Sequence, residues 1–326
     1  MATTHRRQPR HGSCRRSEAR PSGGIDGSLT FDGVRPVLHI PFADTPEQAI
    51  IEDELSALAE HMLGYGVDGL AVPQLASEAW ALTEVERDRV VAIAAEACAD
   101  RVPLVAGIDG TTAIAVERAR RAAAAGAAGL MVLPPRQAAS ADQLVRHYSA
   151  VAQAAGLPVM VQDSPQVTGV QLEVATLERL RDADPLVRAV KSEIPGAGGK
   201  ASAIRDAGLE LVAGWGGLQY LEQVARGAVG CFPGCDLAPA FKAIDTAARV
   251  GRWNEAETLY RRLLPLLSLA TASLELLLLT AKRHLRRSGI FSSEVLRAPA
   301  RSLDAQESRT VDGLLDELHA AGIPGF

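Results

Sequence analysis

Eight short apolar runs alternate with longer helical segments, and this alternation limits the possible folds more than any other feature of the chain. The runs are rich in Val, Leu and Ile and are found at 34–42, 69–75, 103–108, 129–134, 158–164, 187–193, 210–215 and 229–234. The segments between them have helical periodicity, and several end in glycine, as at Gly66 and Gly156. Because continuously apolar strands must be covered on both faces, the pattern predicts a closed parallel (β/α)8 barrel, or TIM barrel.

The chain is predicted to have three parts. Residues 1–33 form an Arg-rich N-terminal arm that we expect to be disordered, since it has almost no apolar residues to offset the entropy of ordering. Residues 34–237 form the barrel core, and residues 238–326 form the last barrel helix and a C-terminal helical extension. A doubly wound open sheet is the structural alternative. It needs fewer strands and usually a Gly-rich first turn, which is not present after the first run.

The leucine-rich segment 263–287 is the one candidate for a membrane span. Pro265 and Glu275 interrupt it, and a charge near the middle of a span costs at least about 2.5 kcal/mol. We therefore interpret the segment as a pair of helices packed on the protein or at a subunit interface.

Composition excludes several classes of partner. The 326 residues carry a net charge of −5, which gives no general attraction to nucleic acid or to an anionic membrane, so a small molecule is the expected partner. Four scattered cysteines do not make a disulfide scaffold and are typical of a cytoplasmic protein. Cys231 and Cys235 have neither a second pair nor a nearby His, so no metal site is expected.

In a (β/α)8 barrel the active site forms at the carboxyl ends of the strands. The polar residues and the tryptophan that end the runs are Gln74, Ser77, Glu78, Asp109, Thr111, Thr112, Arg136, Gln162, Asp163, Ser164, Lys191, Ser192, Glu193 and Trp215. Lys191 is the one plausible covalent nucleophile among them, in a chain with 30 arginines and only four lysines. A desolvated lysine can lose its proton and attack a carbonyl, whereas arginine stays charged. The alternatives are an ion pair with Glu193 or Asp163, or a surface lysine.

The chain from about 34 to 322 resembles the dihydrodipicolinate synthase and N-acetylneuraminate lyase family. The resemblance is carried by segments 65–87, 102–135, 157–170, 187–193 ("VRAVKSE") and 226–234. It implies a barrel enzyme in which a lysine on the sixth strand forms a Schiff base with a 2-oxo acid, and Lys191 falls on that position. It also implies a homo-oligomer, either a dimer or a tetramer. No cofactor is expected, because the iminium itself is the electron sink.

The loop after the second run departs from the family pattern. Where the family has Gly-Thr-Thr-Gly-Glu or Gly-Ser-Thr-Gly-Glu to hold the substrate carboxylate, this chain has "QLASE". Leu75 and Ala76 stand in place of the two hydroxyl residues, Ser77 replaces the second glycine, and Glu78 keeps the glutamate. Two hydroxyl donors to the substrate carboxylate are therefore missing.

The fourth and fifth runs depart as well. Gln162 stands at the position of the family's proton-relaying tyrosine, and an amide is not a general acid or base. Asp163, Glu193 and Glu78 are the titratable candidates to carry protons instead. The synthases also have tyrosines after strand four and a carboxylate-binding arginine after strand five. This chain has Pro135 and Arg136 at the first place and Val167 at the second, which disfavours the lysine-pathway synthase activity.

The sequence thus predicts a Schiff-base-forming lyase, an aldolase or dehydratase, that acts on a 2-oxo acid or sugar-acid-type carbonyl compound through Lys191. Gln162 would orient water or substrate, and Asp163 or Glu193 would carry the proton. The predicted substrate-binding residues are Gln74, Ser77, Glu78, Arg136, Gly214 and Trp215. A non-catalytic, metabolite-binding member of the family is the rival interpretation, and 4-hydroxy-tetrahydrodipicolinate synthase is a further alternative.

Overall fold

The computed structural model describes residues 29–99, 101–138, 140–196 and 198–326. Within these ranges, each predicted apolar run contains or adjoins one of eight parallel strands. They are β1 (Gly33–Val34), β2 (Leu70–Ala71), β3 (Leu104–Ile108), β4 (Gly129–Val132), β5 (Val159–Asp163), β6 (Val187–Ser192), β7 (Glu210–Ala213) and β8 (Gly230–Cys231).

The sheet order is β1-β8-β7-β6-β5-β4-β3-β2. Strands β2 to β8 therefore lie side by side in the order of the chain, and β1 pairs with β8. Val37 joins the two ends, because it forms parallel bridges with both Ala71 and Gly234. The Leu38 N–H also donates to the Ala71 carbonyl at 2.9 Å. The predicted (β/α)8 barrel is confirmed, and the open doubly wound sheet is excluded.

Helices surround the strands. They are α1 (Glu52–Gly64), α2 (Glu84–Cys98), α3 (Thr112–Ala124), α4 (Ala141–Ala155), α5 (Pro165–Thr168), α6 (Val174–Ala183), α7 (Gly198–Asp206), α8 (Tyr220–Ala225), α9 (Ala238–Arg249), α10 (Trp253–Ala270), α11 (Leu274–Arg287) and α12 (Ala305–Ala320). Local sequence sets several ends. Thr83 and Glu86 form a capping box at α2, and Gly156 ends α4 in the left-handed region at φ 66°.

Alternating side chains on the strands separate two apolar layers. Met160 on β5 and Ala189 on β6 belong to the core inside the barrel. Val161 and Val190 belong to the layer between the strands and the helices. This parity decides which polar side chains at the strand ends face the barrel mouth.

The C-terminal extension packs against the barrel as a helix pair with α12 beside it. Leu263, Leu266 and Leu267 of α10 are buried in the core that it shares with α9. No helix in the described ranges is long and apolar enough to cross a membrane. The segment 263–287 accordingly forms the C-terminal part of α10 together with α11, as its interpretation as a helix pair requires.

The predicted arm falls largely outside the described residues, which begin at 29. Phe31 is fully buried inside the barrel, and Gly33 already belongs to β1. Phe31 and Gly33, which lie before the predicted boundary at 34, are therefore part of the barrel.

Candidate active site

Lys191 and Glu193 are two residues apart at the end of β6, so both continue the inward-facing series that includes Ala189. Lys191 Nζ lies 2.9 Å from Glu193 Oε1, and the two residues are only 5% and 6% exposed. The structure thus gives Lys191 an ion pair in a nearly closed environment. A carboxylate at this distance is placed to take and return a proton of the lysine.

Gln162 is the third member of this cluster. It is the register partner of Lys191 across β5 and β6, and its side-chain amide donates to Glu193 Oε2 at 2.8 Å. Its carbonyl oxygen Oε1 is buried and has no hydrogen-bond partner among the described residues. Because a buried unpaired acceptor is costly, this oxygen is a ready contact for a water or a substrate hydroxyl.

The surroundings of Glu193 keep it charged. Burial alone would raise the pKa of its carboxyl, but Lys191, Gln162 and the Trp215 N–H together hold that pKa below its usual value. Gly214 leaves room for the carboxylate, since a Cβ there would lie 2.4 Å from Glu193 Cγ. Gly214 and Trp215, predicted to contact substrate, therefore contact Glu193 in the structure.

Asp163, the other candidate proton carrier, faces the opposite way. It shares the outward parity of Val161, is fully buried, and pairs through Oδ2 with Lys200 of α7 at 2.6 Å. Burial raises the pKa of Asp163 despite this ion pair. Of the two predicted carriers, Glu193 contacts Lys191 and Asp163 lies on the other face of β5.

The loop after β2 is tied into the protein by the residues expected to bind substrate. The Ser77 hydroxyl donates to the Leu38 carbonyl at 2.6 Å and accepts from the Gln74 N–H at 3.0 Å. Glu78 adopts a left-handed conformation with φ 53° and pairs with buried Lys282 of α11 at 2.5 Å. Both side chains are thus engaged in holding the loop rather than free to bind a ligand.

Three N–H donors of the same loop have no hydrogen-bond partner among the described residues. The Gln74 side-chain nitrogen is buried without a partner among the described residues. The N–H groups of Leu75 and Ala76 make no hydrogen bond within the described ranges either. Amide donors at a strand end suit a carboxylate, so Gln74 stays a predicted substrate-binding residue, whereas the side chains of Ser77 and Glu78 contact the protein itself.

A cavity of about 420 Å³ opens at the mouth, walled by the segments that follow β2, β3, β4 and β5 and by the start of α11. Gln74 and the exposed Arg136 are in its wall. Lys191, Gln162 and Glu193 are outside its described wall, so the chemical cluster and the cavity are separate regions of the mouth.

Reasoning from the sequence did not identify Lys200, Lys282 or Gln166. Gln166 donates its side-chain N–H to the Glu193 carbonyl at 2.7 Å. The scarcity of lysine is the signal that could have identified the other two, because each of the four lysines forms an ion pair with a carboxylate. Their partners are far away in sequence, so no local pattern points to them.

Comparisons with known proteins agree on one family. The sequence model described as the Dihydrodipicolinate synthetase family matches residues 30–318. The L-2-keto-3-deoxyarabonate dehydratase of Azospirillum brasilense is 31% identical over 276 residues, which cover 82% of this chain and 88% of the dehydratase. The 4-hydroxy-tetrahydrodipicolinate synthase 1 of Streptomyces coelicolor is 35% identical over 295 residues, covering 89% and 94%. The crystal structure of dihydrodipicolinate synthase from Rhodopseudomonas palustris superposes with a TM-score of 0.82 at 23% identity, covering 88% of this chain and 97% of that one, which supports the fold.

Proposed function

The chain belongs to the dihydrodipicolinate synthetase family, and we propose that it is a class I lyase in which Lys191 forms a Schiff base with a 2-oxo acid. The observation that carries this proposal is the buried contact of 2.9 Å between Lys191 Nζ and Glu193 Oε1 at the barrel mouth. It places a nucleophile beside a group that exchanges protons with it, the arrangement that covalent catalysis requires.

Schiff-base formation needs two proton movements, and Glu193 serves both. Lys191 first passes an ammonium proton to the Glu193 carboxylate, and the neutral amine adds to the 2-oxo carbon. After a proton moves from nitrogen to oxygen, the carbinolamine hydroxyl takes the proton from Glu193 and leaves as water. The result is an iminium that still carries one N–H.

The iminium then accepts electrons from the carbon chain. In an aldol cleavage the C3–C4 bond breaks, its electron pair forms an enamine, and the 4-hydroxyl proton passes to the Glu193 carboxylate, so that C4 leaves as the carbon of an aldehyde. In a dehydration the Glu193 carboxylate takes a C3 proton and gives it to the 4-hydroxyl, which leaves with its electron pair as water. Gln162 Oε1, which lacks a protein partner among the described residues, would orient the water or hydroxyl involved.

The carboxylate of the 2-oxo acid, next to the carbon that Lys191 attacks, also needs partners in the protein. The free donors on Gln74, Leu75 and Ala76 are the groups that would hold it, in place of the family's two hydroxyl side chains. Hydrogen bonds to a charged group contribute about 1.5–3 kcal/mol each, so three amide donors suffice for binding.

The dehydratase and synthase relatives indicate two different uses of such a Schiff base. The present chain has Gln162, Val167 and Pro135 where the resemblance to the synthases calls for a tyrosine, an arginine and a second tyrosine. These replacements favour a lyase on another 2-oxo acid over the synthase reaction.

Borohydride trapping tests the Schiff base directly. We expect incubation with pyruvate or a larger 2-oxo acid, followed by reduction, to add the mass of the acid less one oxygen atom to one peptide, the one that contains Lys191. Product analysis of 4-hydroxy-2-oxo acids then distinguishes aldehyde release from loss of water. Failure of every 2-oxo acid to give an adduct would favour the non-catalytic, metabolite-binding alternative.

Glu193→Gln is expected to lower kcat/KM by about 10²-fold or more, the usual contribution of a general acid–base group. Because the pKa of Glu193 is held low, wild-type activity falls only as the pH drops through that lowered pKa, and the variant loses this acidic limb. A pH profile of kcat/KM measures both effects. Glu222→Gln, which removes an exposed partner of Arg226, is the control. An unchanged profile in Glu193→Gln contradicts the role.

Assembly and location belong to the same proposal. We expect a homo-oligomer, a dimer or tetramer, that acts in the cytoplasm. Exposed large apolar side chains such as Val250 and Trp253 offer surface for association, and Cys98, Cys231 and Cys235 are buried free thiols, as in a reducing compartment.

A further inference from the structure

The cavity at the mouth has the size of a small-molecule pocket, with about 420 Å³ against a usual range of about 300–1,000 Å³. Gln74, in its wall, follows β2, and Thr168 belongs to the turn after β5, the strand that carries Gln162. The carboxyl ends of these strands meet at one mouth. A substrate joined to Lys191 through C2 can therefore extend its tail, the end of the carbon chain far from the carboxylate, into this cavity.

The wall is mostly apolar. Six apolar side chains from the segments that follow β2, β3, β4 and β5 and from α11 contribute to it: Leu75, Trp80, Ile114, Pro135, Val167 and Leu274. Trp80 is 54% exposed although it lies beside a concave site. A ligand ring or alkyl group in the cavity would cover apolar surface that the protein alone leaves in water.

Of the six polar side chains of the wall, Asp109 and Thr168 are engaged within the protein. The Asp109 carboxylate pairs with Arg87 at 3.0 Å and with Arg118 at 2.7 Å. The Thr168 hydroxyl donates to the Ser164 carbonyl at 3.1 Å. The remaining polar side chains of the wall, apart from Gln74, are exposed: Thr111, Arg136 and Gln137.

A polyhydroxylated tail needs several fixed partners, because each buried hydroxyl without one weakens binding. The one unpartnered buried donor of the wall among the described residues is the Gln74 amide, and that group is proposed to hold the substrate carboxylate. We propose that the far end of the substrate is an apolar group, an aryl ring or a branched alkyl chain, bound in this cavity. The inference rests on the proposed Schiff base only for the attachment of the substrate's C2 carbon to Lys191.

Two ligands that differ only in the tail can show which kind of tail the cavity binds. 2-Oxo-4-hydroxy-4-phenylbutanoate and a 2-oxo-3-deoxy sugar acid share the reactive end and differ in the tail. We expect the wild-type protein to turn over the phenyl compound with kcat/KM at least about tenfold higher, as hydrophobic pockets discriminate. Calorimetric binding of 4-phenyl-2-oxobutanoate and of the sugar acid to the Lys191→Arg variant measures the cavity without the covalent step.

Val167→Asn brings an uncharged polar group into the wall and is expected to lower binding of the phenyl acid by at least about tenfold. The adduct with pyruvate, which fills only the Lys191 end, should still form. Val85→Asn is the matched control, because Val85 is 79% exposed and outside the described wall.

The outcomes separate the two proposals. Equal or tighter binding of the sugar acid, or phenyl-acid binding unaffected by Val167→Asn, overturns the apolar tail even if pyruvate still forms its adduct. Absence of any adduct overturns the proposed function, and the calorimetric comparison still decides what the cavity binds.

Discussion

Lys191→Arg is expected to abolish the reducible adduct with every 2-oxo acid and to lower turnover by about 10³-fold or more, equal to about 4 kcal/mol of transition-state stabilisation. Arginine keeps the positive charge beside Glu193, which lies 2.9 Å from Lys191 Nζ. It does not lose a proton in proteins, so it cannot add to a carbonyl. Intact-mass analysis after borohydride reduction, together with a turnover assay, measures both losses.

The control for this variant is Lys242→Arg. Lys242 also pairs with a carboxylate, Asp68 at 2.6 Å, but it is on α9 and not at the end of β6. It should retain the adduct and the activity. An adduct that persists in Lys191→Arg would assign the Schiff base to another lysine and remove the central residue from the proposed mechanism.

The barrel was predictable because its strands are covered on both faces and therefore read as continuous apolar runs. The run at 34–42 is nevertheless longer than its strand, β1, which spans only Gly33–Val34. Pro36 and Pro41 lie in that run, and proline has no N–H to donate to a neighbouring strand. Beyond β1 the contact continues as single bridges from Val37.

Lys191 was predictable at the site because composition and strand position point to the same residue. Choosing between Asp163 and Glu193 was not possible from the chain alone. Their orientation depends on how β5 aligns with β6, and that pairing contains an irregularity at Val159 and Met160. The structure aligns Gln162 with Lys191, which turns Asp163 to the other face.

The role of Glu78 could not be predicted from the sequence for a related reason. Its position in the loop after β2 matches the family's glutamate, but its partner Lys282 comes from α11. The contact exists only because α11 packs on the turn that contains Leu75–Ser77. The C-terminal extension thus supports the loop that carries Gln74.

Lys282→Met is expected to lower the free energy of unfolding by about 3–5 kcal/mol, because it leaves the Glu78 carboxylate buried without its cation. Glu78 and Lys282 are 2% and 1% exposed, so water cannot replace the lost partner. Denaturant unfolding measures the loss. Lys242→Met, which breaks the partly exposed pair with Asp68, should lower the free energy of unfolding by less than about 1 kcal/mol.

Two further measurements separate a broken ion pair from lost packing. Combining Glu78→Gln with Lys282→Met removes both charges, and most of the stability should return, since apolar replacement of a buried pair is often neutral. Burial also lowers the pKa of Lys282 to about 8, although Glu78 opposes this shift. The unfolded chain therefore binds more protons between about pH 8 and pH 10.4, so wild-type stability relative to Lys282→Met rises with pH across that window. If the Lys282→Met variant is as stable as the wild type, or if the stability difference between the two falls as the pH rises, the extension does not hold this loop through the Glu78–Lys282 pair.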